Sequence, residues 1–116
     1  MSQTQAWTPV CHVDDILPNT GVCALVGDRH VAVFRVAVND EPHEPRLFAI
    51  DNLDPNARAS VLSRGLVGSL GERIVVASPL YKHHFCLQSG ECLEAPEHSV
   101  SAYPVRVEAG SVLVAA

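Results

Sequence analysis

Two polar segments of the chain carry side chains that could do chemistry. Asp51 and Asp54 lie in the first segment and could act as an acid–base pair, and the second contains the adjacent His83 and His84, which could bind a metal ion. Neighbouring residues on a strand point to opposite faces, however, so two adjacent histidines do not readily chelate one ion and suit the surface or a partner contact better. An aspartate within an Asn-Leu-Asp-Pro turn typically accepts hydrogen bonds from the backbone. The residue types therefore favour structural and contact roles for both pairs.

The second polar segment has the framework of a known metal-binding loop but not its ligands. An apolar run ending at Ala77 is followed by Ser78-Pro79-Leu80-Tyr81, then by Phe85 and a Gly-Glu turn. This order resembles the second cluster-binding loop of Rieske iron–sulfur domains, in which a strand ends in Cys-Pro-x-His ahead of a phenylalanine and a Gly-Glu turn. By this resemblance Ser78 replaces the cysteine and Tyr81 replaces the histidine.

The first polar segment resembles the other Rieske loop, which supplies its ligands from a Cys-x-His sequence. With Pro55 in the central place, Asp54 replaces the cysteine and Asn56 the histidine, and the spacing to Leu62 is slightly longer. A Rieske centre holds one iron by two cysteines and the other by two histidines. A carboxylate, an amide and two hydroxyls are a poor set for such a cluster. We expect the chain to hold no metal and no cofactor.

The length and composition predict one domain spanning residues 1–116, with residues 1–5 as a flexible N-terminus. No apolar run is long enough to span a bilayer, and the N-terminus lacks the basic and apolar regions of a secretory signal. A cytoplasmic protein without membrane contact is therefore expected. The net charge is −5 and the lysines and arginines form no cluster, which disfavours nucleic-acid binding.

The four cysteines do not have the spacing of a zinc site or a redox motif. Cys11 and Cys23 are twelve residues apart, Cys86 and Cys92 are six apart, and no C-x-x-C occurs. Cys86 and Cys92 flank a predicted turn and could meet across a hairpin. In a reducing cytosol, free and partly buried thiols are the expected state.

The elements that would position the two segments are strands. Apolar runs at residues 21–26 and 31–36 flank a turn and predict a hairpin. Pro9 cannot donate to a central ladder, so residues 7–13 predict an edge strand. Further strands are predicted at residues 47–50, 73–77, 84–87, 92–94, 101–107 and 111–114. With about nine or ten short antiparallel strands and no helical stripe, the pattern predicts an all-β sandwich or small barrel.

The whole chain, over residues 6–114, resembles the small subunits of assimilatory NAD(P)H-dependent nitrite reductases, the NirD family. The supporting motifs are Asp-Asp-Ile-Leu-Pro at 14–18, Thr-Gly-Val-Cys-Ala-Leu at 20–25, Asn-Leu-Asp-Pro at 52–55, Val-Leu-Ser-Arg-Gly-Leu at 61–66 and Val-Ala-Ser-Pro-Leu at 76–80. The resemblance implies a Rieske-like fold without a cluster. It also implies a large-subunit partner that carries FAD, an iron–sulfur cluster and sirohaem and reduces nitrite to ammonia.

Two functions follow from these residues. The first is a cofactor-free accessory subunit of nitrite reductase that is not catalytic alone, because the chain has neither a G-x-G-x-x-G fingerprint nor a P-loop. The alternative is a genuine Rieske-type [2Fe-2S] ferredoxin that transfers electrons to an oxygenase or reductase. That alternative requires a different alignment of the two loops.

In Rieske domains the two ligand loops converge at one tip and meet the redox partner there. The corresponding residues here mix apolar and basic side chains, which are suited to an interface. They are Leu53, Asp54, Pro55, Arg58, Leu62, Arg64, Pro79, Leu80, Tyr81 and His83. We expect the large subunit to contact Leu53, Arg58, Arg64, Leu80, Tyr81 and His83. Several alternatives remain open. Leu62, Leu80 and Tyr81 could fold inward, and the arginines could steer nitrite. The partner could also dock on the acidic loop at 39–44 or on an exposed strand edge.

Overall fold

The computed structural model describes residues 7–36, 46–80 and 82–115. Their regular elements are twelve strands and three turns of 3₁₀ helix, at Val13–Asp15, Leu62–Arg64 and Pro96–His98. The strands are β1 (Trp7–His12), β2 (Thr20–Val26), β3 (Arg29–Val36), β4 (Arg46–Asp51), β5 (Leu53–Asp54), β6 (Ala59–Ser60), β7 (Leu66–Leu70), β8 (Arg73–Ala77), β9 (His84–Cys86), β10 (Ala102–Tyr103), β11 (Val105–Glu108) and β12 (Ser111–Ala115). The predicted all-β class is confirmed. No helix in these ranges is long and apolar enough to cross a membrane.

The strands form four antiparallel sheets. Their orders are β1-β12-β11, β10-β4-β3-β2, β5-β6 and β7-β8-β9. β1 lies at an edge, as Pro9 predicts, and its register shifts between Pro9 and Cys11. The four-stranded sheet stands between the two three-stranded sheets and supports both.

The central sheet is apolar on both faces because β3 is a continuous hydrophobic run. Ala32 and Phe34 face one core. This core also contains Leu62 and Phe85, which follow the first and the second polar segment in the chain. The alternate residues of β3 face a second core that is closed by β12. The first of these two cores anchors the loops that carry the candidate site.

Two-residue turns set the register of three hairpins. Gly27 and Gly71 begin the β2–β3 and β7–β8 turns with φ of 63° and 61°, as the first central position of a type II′ turn requires. In the β11–β12 turn both central residues have positive φ, which is the type I′ form. The predicted hairpin between residues 21–26 and 31–36 is confirmed.

The structure differs from the sequence prediction in three elements. Residues 101–107 are not one strand: β10 pairs with β4 and β11 pairs with β12, because Pro104 lies where the chain changes sheets. The hairpin of residues 84–87 and 92–94 is reduced to a single bridge between Phe85 and Cys92. β7 was not predicted, since Leu-Val-Gly-Ser-Leu lacks a strong strand pattern. Residues 1–5, the acidic loop at 39–44 and Tyr81 lie outside the described residues.

Candidate functional site

The first polar segment is held by Asn52, which sequence reasoning noted only as part of a motif. Its side chain accepts a hydrogen bond from the Ser63 amide at 2.7 Å and donates one to Cys23 Sγ at 3.2 Å. Its backbone amide donates to the His30 carbonyl at 2.8 Å, and its carbonyl accepts from the Leu62 amide at 3.1 Å. Asn52 is fully buried, so each of these polar atoms needs its partner. The position of this asparagine directly after a strand is the signal that the sequence offers. Its burial is visible only in the structure.

Asp54 is also buried and joins the two polar segments. One carboxylate oxygen accepts the hydroxyl of Ser78, and the other accepts the Asn56 amide at 2.9 Å. The Asp54 carbonyl accepts the Arg58 amide at 2.7 Å, which closes the turn. The two positions predicted to replace the Rieske cysteines therefore bond directly to each other.

The second polar segment forms a closed loop around Ser78. The Ser78 amide donates to the His83 carbonyl, and the Ser78 carbonyl accepts the Lys82 amide, both at 2.9 Å. Lys82 adopts a φ of 59° to make this turn. Tyr81, the fourth predicted position, lies outside the described residues.

Asn56, which is predicted to replace a Rieske histidine, bridges to another part of the chain. Its Oδ1 lies 2.5 Å from Nδ1 of His98, in the 3₁₀ turn Pro96–His98. Among the described residues, Asn56 Nδ2 and His83 Nδ1 are buried side-chain atoms without a hydrogen-bond partner. Rotating the amide by 180° would pair Nδ2 with His98 and leave Oδ1 without its partner. In either orientation only one of the two polar atoms contacts His98.

The described residues at these positions do not fit a [2Fe-2S] cluster. Asp54 and Ser78 use their polar ends on each other, and Asn56 presents an amide, so none of the three offers a thiolate or an imidazole. The four cysteines are free thiols, and Cys86 and Cys92 are buried. Cys23 contacts the site through its Sγ atom, which accepts the hydrogen bond from the Asn52 side chain. Among the described histidines, cysteines and acidic residues, no group of three is arranged to hold a metal ion.

Asp51 and Asp54 are not an acid–base pair, because each carboxylate is committed to separate partners. Asp51 accepts the Tyr103 hydroxyl and, at 3.1 Å, the Ser101 amide. Burial and the Asp51 carboxylate together raise the pKa of the Tyr103 phenol. The predicted role of both aspartates as hydrogen-bond acceptors agrees with these contacts.

The adjacent histidines have different surroundings. His84 contacts Glu94 twice, from its amide at 2.7 Å and from Nδ1 at 2.5 Å. Burial pushes the pKa of Glu94 upward, but the hydrogen bonds from His84 outweigh it and leave this pKa below its ordinary value. His83 is half-buried and makes no side-chain bond through Nδ1 within the described residues. The pair does not act as a chelate.

The predicted tip residues divide into an exposed and a buried group. Leu53 and Leu80 are 49% and 56% exposed, and Pro79, Arg58 and Arg64 are also exposed. Pro55 and His83 are half-buried. The prediction that Asp54 and Leu62 line the surface is wrong: both are fully buried, Asp54 against Ser78 and Leu62 in the core with Phe34 and Phe85. The inward alternative therefore holds for Leu62 and fails for Leu80.

Comparison with known proteins agrees with this geometry. The family model of the Rieske-like [2Fe-2S] domain matches residues 6–115. The nitrite reductase (NADH) small subunit of Escherichia coli K12 is 48% identical over 106 residues, which cover 91% of this chain and 94% of that protein. The NMR structure of the E. coli protein NirD superposes with a TM-score of 0.86 at 45% identity, covering 97% of this chain and 98% of that one.

Two other relatives bear on the functional alternatives. A nitrite reductase [NAD(P)H] large subunit from Klebsiella oxytoca is 39% identical over 111 residues, which are 96% of this chain and 11% of that protein. The ferredoxin component of an alkene monooxygenase system from Xanthobacter autotrophicus shares only 25% identity over 108 residues. The ferredoxin alternative is therefore the less supported one. The chain belongs to the family of Rieske-like [2Fe-2S] domains and, within it, to the nitrite reductase small subunits.

Proposed function

We propose that this chain is a cofactor-free small subunit of a cytoplasmic NAD(P)H-dependent nitrite reductase. The observation that carries the proposal is the match inside the Klebsiella large subunit, in which a segment equivalent to 96% of this chain is part of the large polypeptide. A domain that is fused to its partner in one organism and separate in another acts beside that partner in both. The chain functions as one domain over residues 1–116.

The redox cofactors in this proposal lie in the large subunit. We expect FAD, an iron–sulfur cluster and sirohaem there, where nitrite is reduced to ammonia. The support from this chain is its donor set, since Asp54 and Ser78 satisfy each other and cannot replace two thiolates. The small subunit therefore contributes a surface and a rigid scaffold, not a reacting group.

The surface proposed to meet the large subunit comprises six of the tip residues. It consists of Leu53, Arg58, Arg64, Leu80, Tyr81 and His83. Leu53 and Leu80 are large apolar side chains near half exposure, and Arg58 and Arg64 provide positive charge beside them. Interfaces combine such apolar anchors with arginine, and loops on a rigid scaffold commonly carry them.

The proposed function is tested by purification and activity. The tagged small subunit is expressed with the large subunit, and nitrite-dependent NADH oxidation is measured with and without the small subunit. We expect the large subunit to co-purify and its nitrite-dependent rate to rise when the small subunit is present. A large subunit that neither binds this chain nor responds to it would contradict the proposal.

The tip is tested with one double variant and a matched control. The double variant reverses the charge of Arg58 and introduces a charge at Leu80. Arg58→Glu combined with Leu80→Glu should weaken large-subunit capture by about tenfold or more, as interface hot spots do. Val107→Glu is the control, because Val107 is 38% exposed on β11, in the sheet β1-β12-β11 and outside the tip. Thermal melts check that the variants are folded. Equal capture by the double variant and the control would place the interface elsewhere, and the acidic loop at 39–44 would be tested next.

A further inference from the structure

The outer edge of β7 is open within the described part of the chain. β7 pairs with β8 on one side, and no described strand pairs with its other side. Leu70 and Arg73 flank a two-residue turn and so form a hydrogen-bonded pair, which places Val67 and Ser69 at the alternate positions. The backbone groups of Val67 and Ser69 therefore point outward, and no described backbone group bonds to them.

This edge lacks the features that usually protect a free strand. Leu66 is 81% exposed and Leu70 is 45% exposed, and both lie on the same face as Gly68. A Cβ added to Gly68 would meet no atom within 4 Å, so the middle of the strand is open to a close approach. Free edges are normally blocked by charge, proline or a bulge, and β7 has none of these. An edge of this type is suited to pairing with another strand.

The sequence around Gly68 is complementary to itself in an antiparallel pairing. With a two-fold axis at Gly68, Val67 of one copy faces Ser69 of the other, which matches their outward hydrogen-bonding groups. Leu66 then faces Leu70 of the second copy, at a position where side chains approach closely. Arg64 and Glu72 lie just beyond the two ends of β7, in the 3₁₀ turn and in the β7–β8 turn. Both are exposed, so opposite charges flank the pairing at each end. Backbone pairing, apolar contact and charge therefore agree in one alignment.

We propose that two copies of this chain associate through β7, forming a six-stranded sheet across the two-fold axis. This inference goes beyond the proposed function and does not depend on it. The contact is isologous, since the same five residues serve both copies. A five-residue strand pair buries less than a standard interface, so the dimer is weak and forms reversibly in the micromolar range or above.

The first test uses sedimentation velocity on the full chain over rising protein concentration. We expect a concentration-dependent shift from monomer to dimer. Ser69→Pro removes an outward amide that β8 does not use, so the variant should fold and remain monomeric. Ser69→Ala keeps the amide and should behave as the unmodified chain. A thermal melt of each variant confirms that loss of the dimer is not loss of the fold.

The second test exchanges the charges. Arg64→Glu and Glu72→Arg should each weaken the dimer several-fold by placing like charges together at both ends, and the double variant should restore it. A chain that is monomeric at every concentration overturns the proposal, as does a dimer unaffected by Ser69→Pro. A monomer whose Ser69→Pro variant loses only the large subunit would also overturn it and would assign the edge to that partner.

Discussion

At the scale of single residues, the hydrogen bond between Asp54 and Ser78 holds the two tip loops together. Both side chains are buried, so each would bear the cost of lost hydration without the other. Asp54 also accepts the Asn56 amide, and Ser78 anchors its own loop through two backbone bonds. The pair therefore links the two loops that resemble the cluster-binding loops of Rieske domains.

Ser78→Ala should lower the free energy of unfolding by about 1.5–3 kcal/mol, because it leaves a buried carboxylate without one of its donors. Ser69→Ala, at an exposed position of β7, is the control and should change it by less than about 0.5 kcal/mol. Urea unfolding of both variants gives the comparison. Equal stability of the two would mean that the Asp54–Ser78 bond contributes nothing net.

Glu94→Gln should destabilise the chain near neutral pH and not in acid. The pKa of Glu94 is below its ordinary value of 4.5 in the fold, so its contribution is present above that pH and is lost as the pH falls through the lowered value. The difference between Glu94→Gln and the unmodified chain should therefore shrink as the pH falls below 4.5 and through the lowered pKa. Chemical unfolding across this range measures it. Glu97→Gln, an exposed carboxylate in the turn Pro96–His98, should show a smaller and flatter difference.

The resemblance predicts which residues replace the Rieske ligands, but it does not predict the contacts that these residues make. Asp54 and Ser78 are 24 positions apart, so their contact depends on how two loops meet after folding. For the same reason Leu62 was assigned to the surface although it fills the core between Phe34 and Phe85. The local sequence shows which residue types occupy the two loops, whereas long-range packing decides which of these residues are buried.

At the scale of elements, strong local patterns predicted well and weak ones did not. β3 is a continuous apolar run next to a glycine turn, so its hairpin with β2 could be recognised from sequence. β7 contains a glycine, a serine and only three apolar residues, and it is a strand because β8 pairs with it along its whole length. Tertiary pairing outweighs intrinsic propensity in such a segment.

Gly65 should tolerate no side chain, because it packs against the end of β8. A Cβ at this position would lie 2.3 Å from the Ala77 carbonyl oxygen and 2.6 Å from a Val76 methyl group. Gly65→Ala should therefore cost about 1–3 kcal/mol of stability or more, as overpacking does. Gly68→Ala is the matched control in the same strand region, where open space should leave stability unchanged or raised by up to about 1 kcal/mol.

Thermal or urea unfolding at low protein concentration, where self-association does not contribute, separates the two glycine variants. If Gly65→Ala were as stable as Gly68→Ala, the turn Leu62–Arg64 would be free to move away from β8. The tip would then be less rigid than its contacts indicate.

At the scale of the whole molecule, the two cores and the tip carry separate tasks. One core joins the central sheet to β12, and the other joins it to β7, β8 and β9 and anchors both polar segments. Leu53 and Leu80, the exposed apolar side chains of the tip, belong to neither core. The scaffold can therefore keep its shape while the exposed tip residues vary, which is consistent with a Rieske-like fold serving as an accessory subunit.

The isolated chain should be folded, colourless and inactive. Its described tip positions provide a carboxylate bonded to a hydroxyl and an amide, none of which replaces the thiolates and imidazoles of a two-iron cluster. Protein made in iron-replete cells should therefore contain no stoichiometric iron or acid-labile sulfide, and should neither oxidise NADH nor reduce nitrite. Metal analysis, the visible spectrum and both assays are run beside the complex with the large subunit, which should be coloured and active. Stoichiometric iron with a two-iron spectrum in the isolated chain would instead support the ferredoxin alternative, because the chain would then have to bind a cluster through residues other than Asp54 and Ser78.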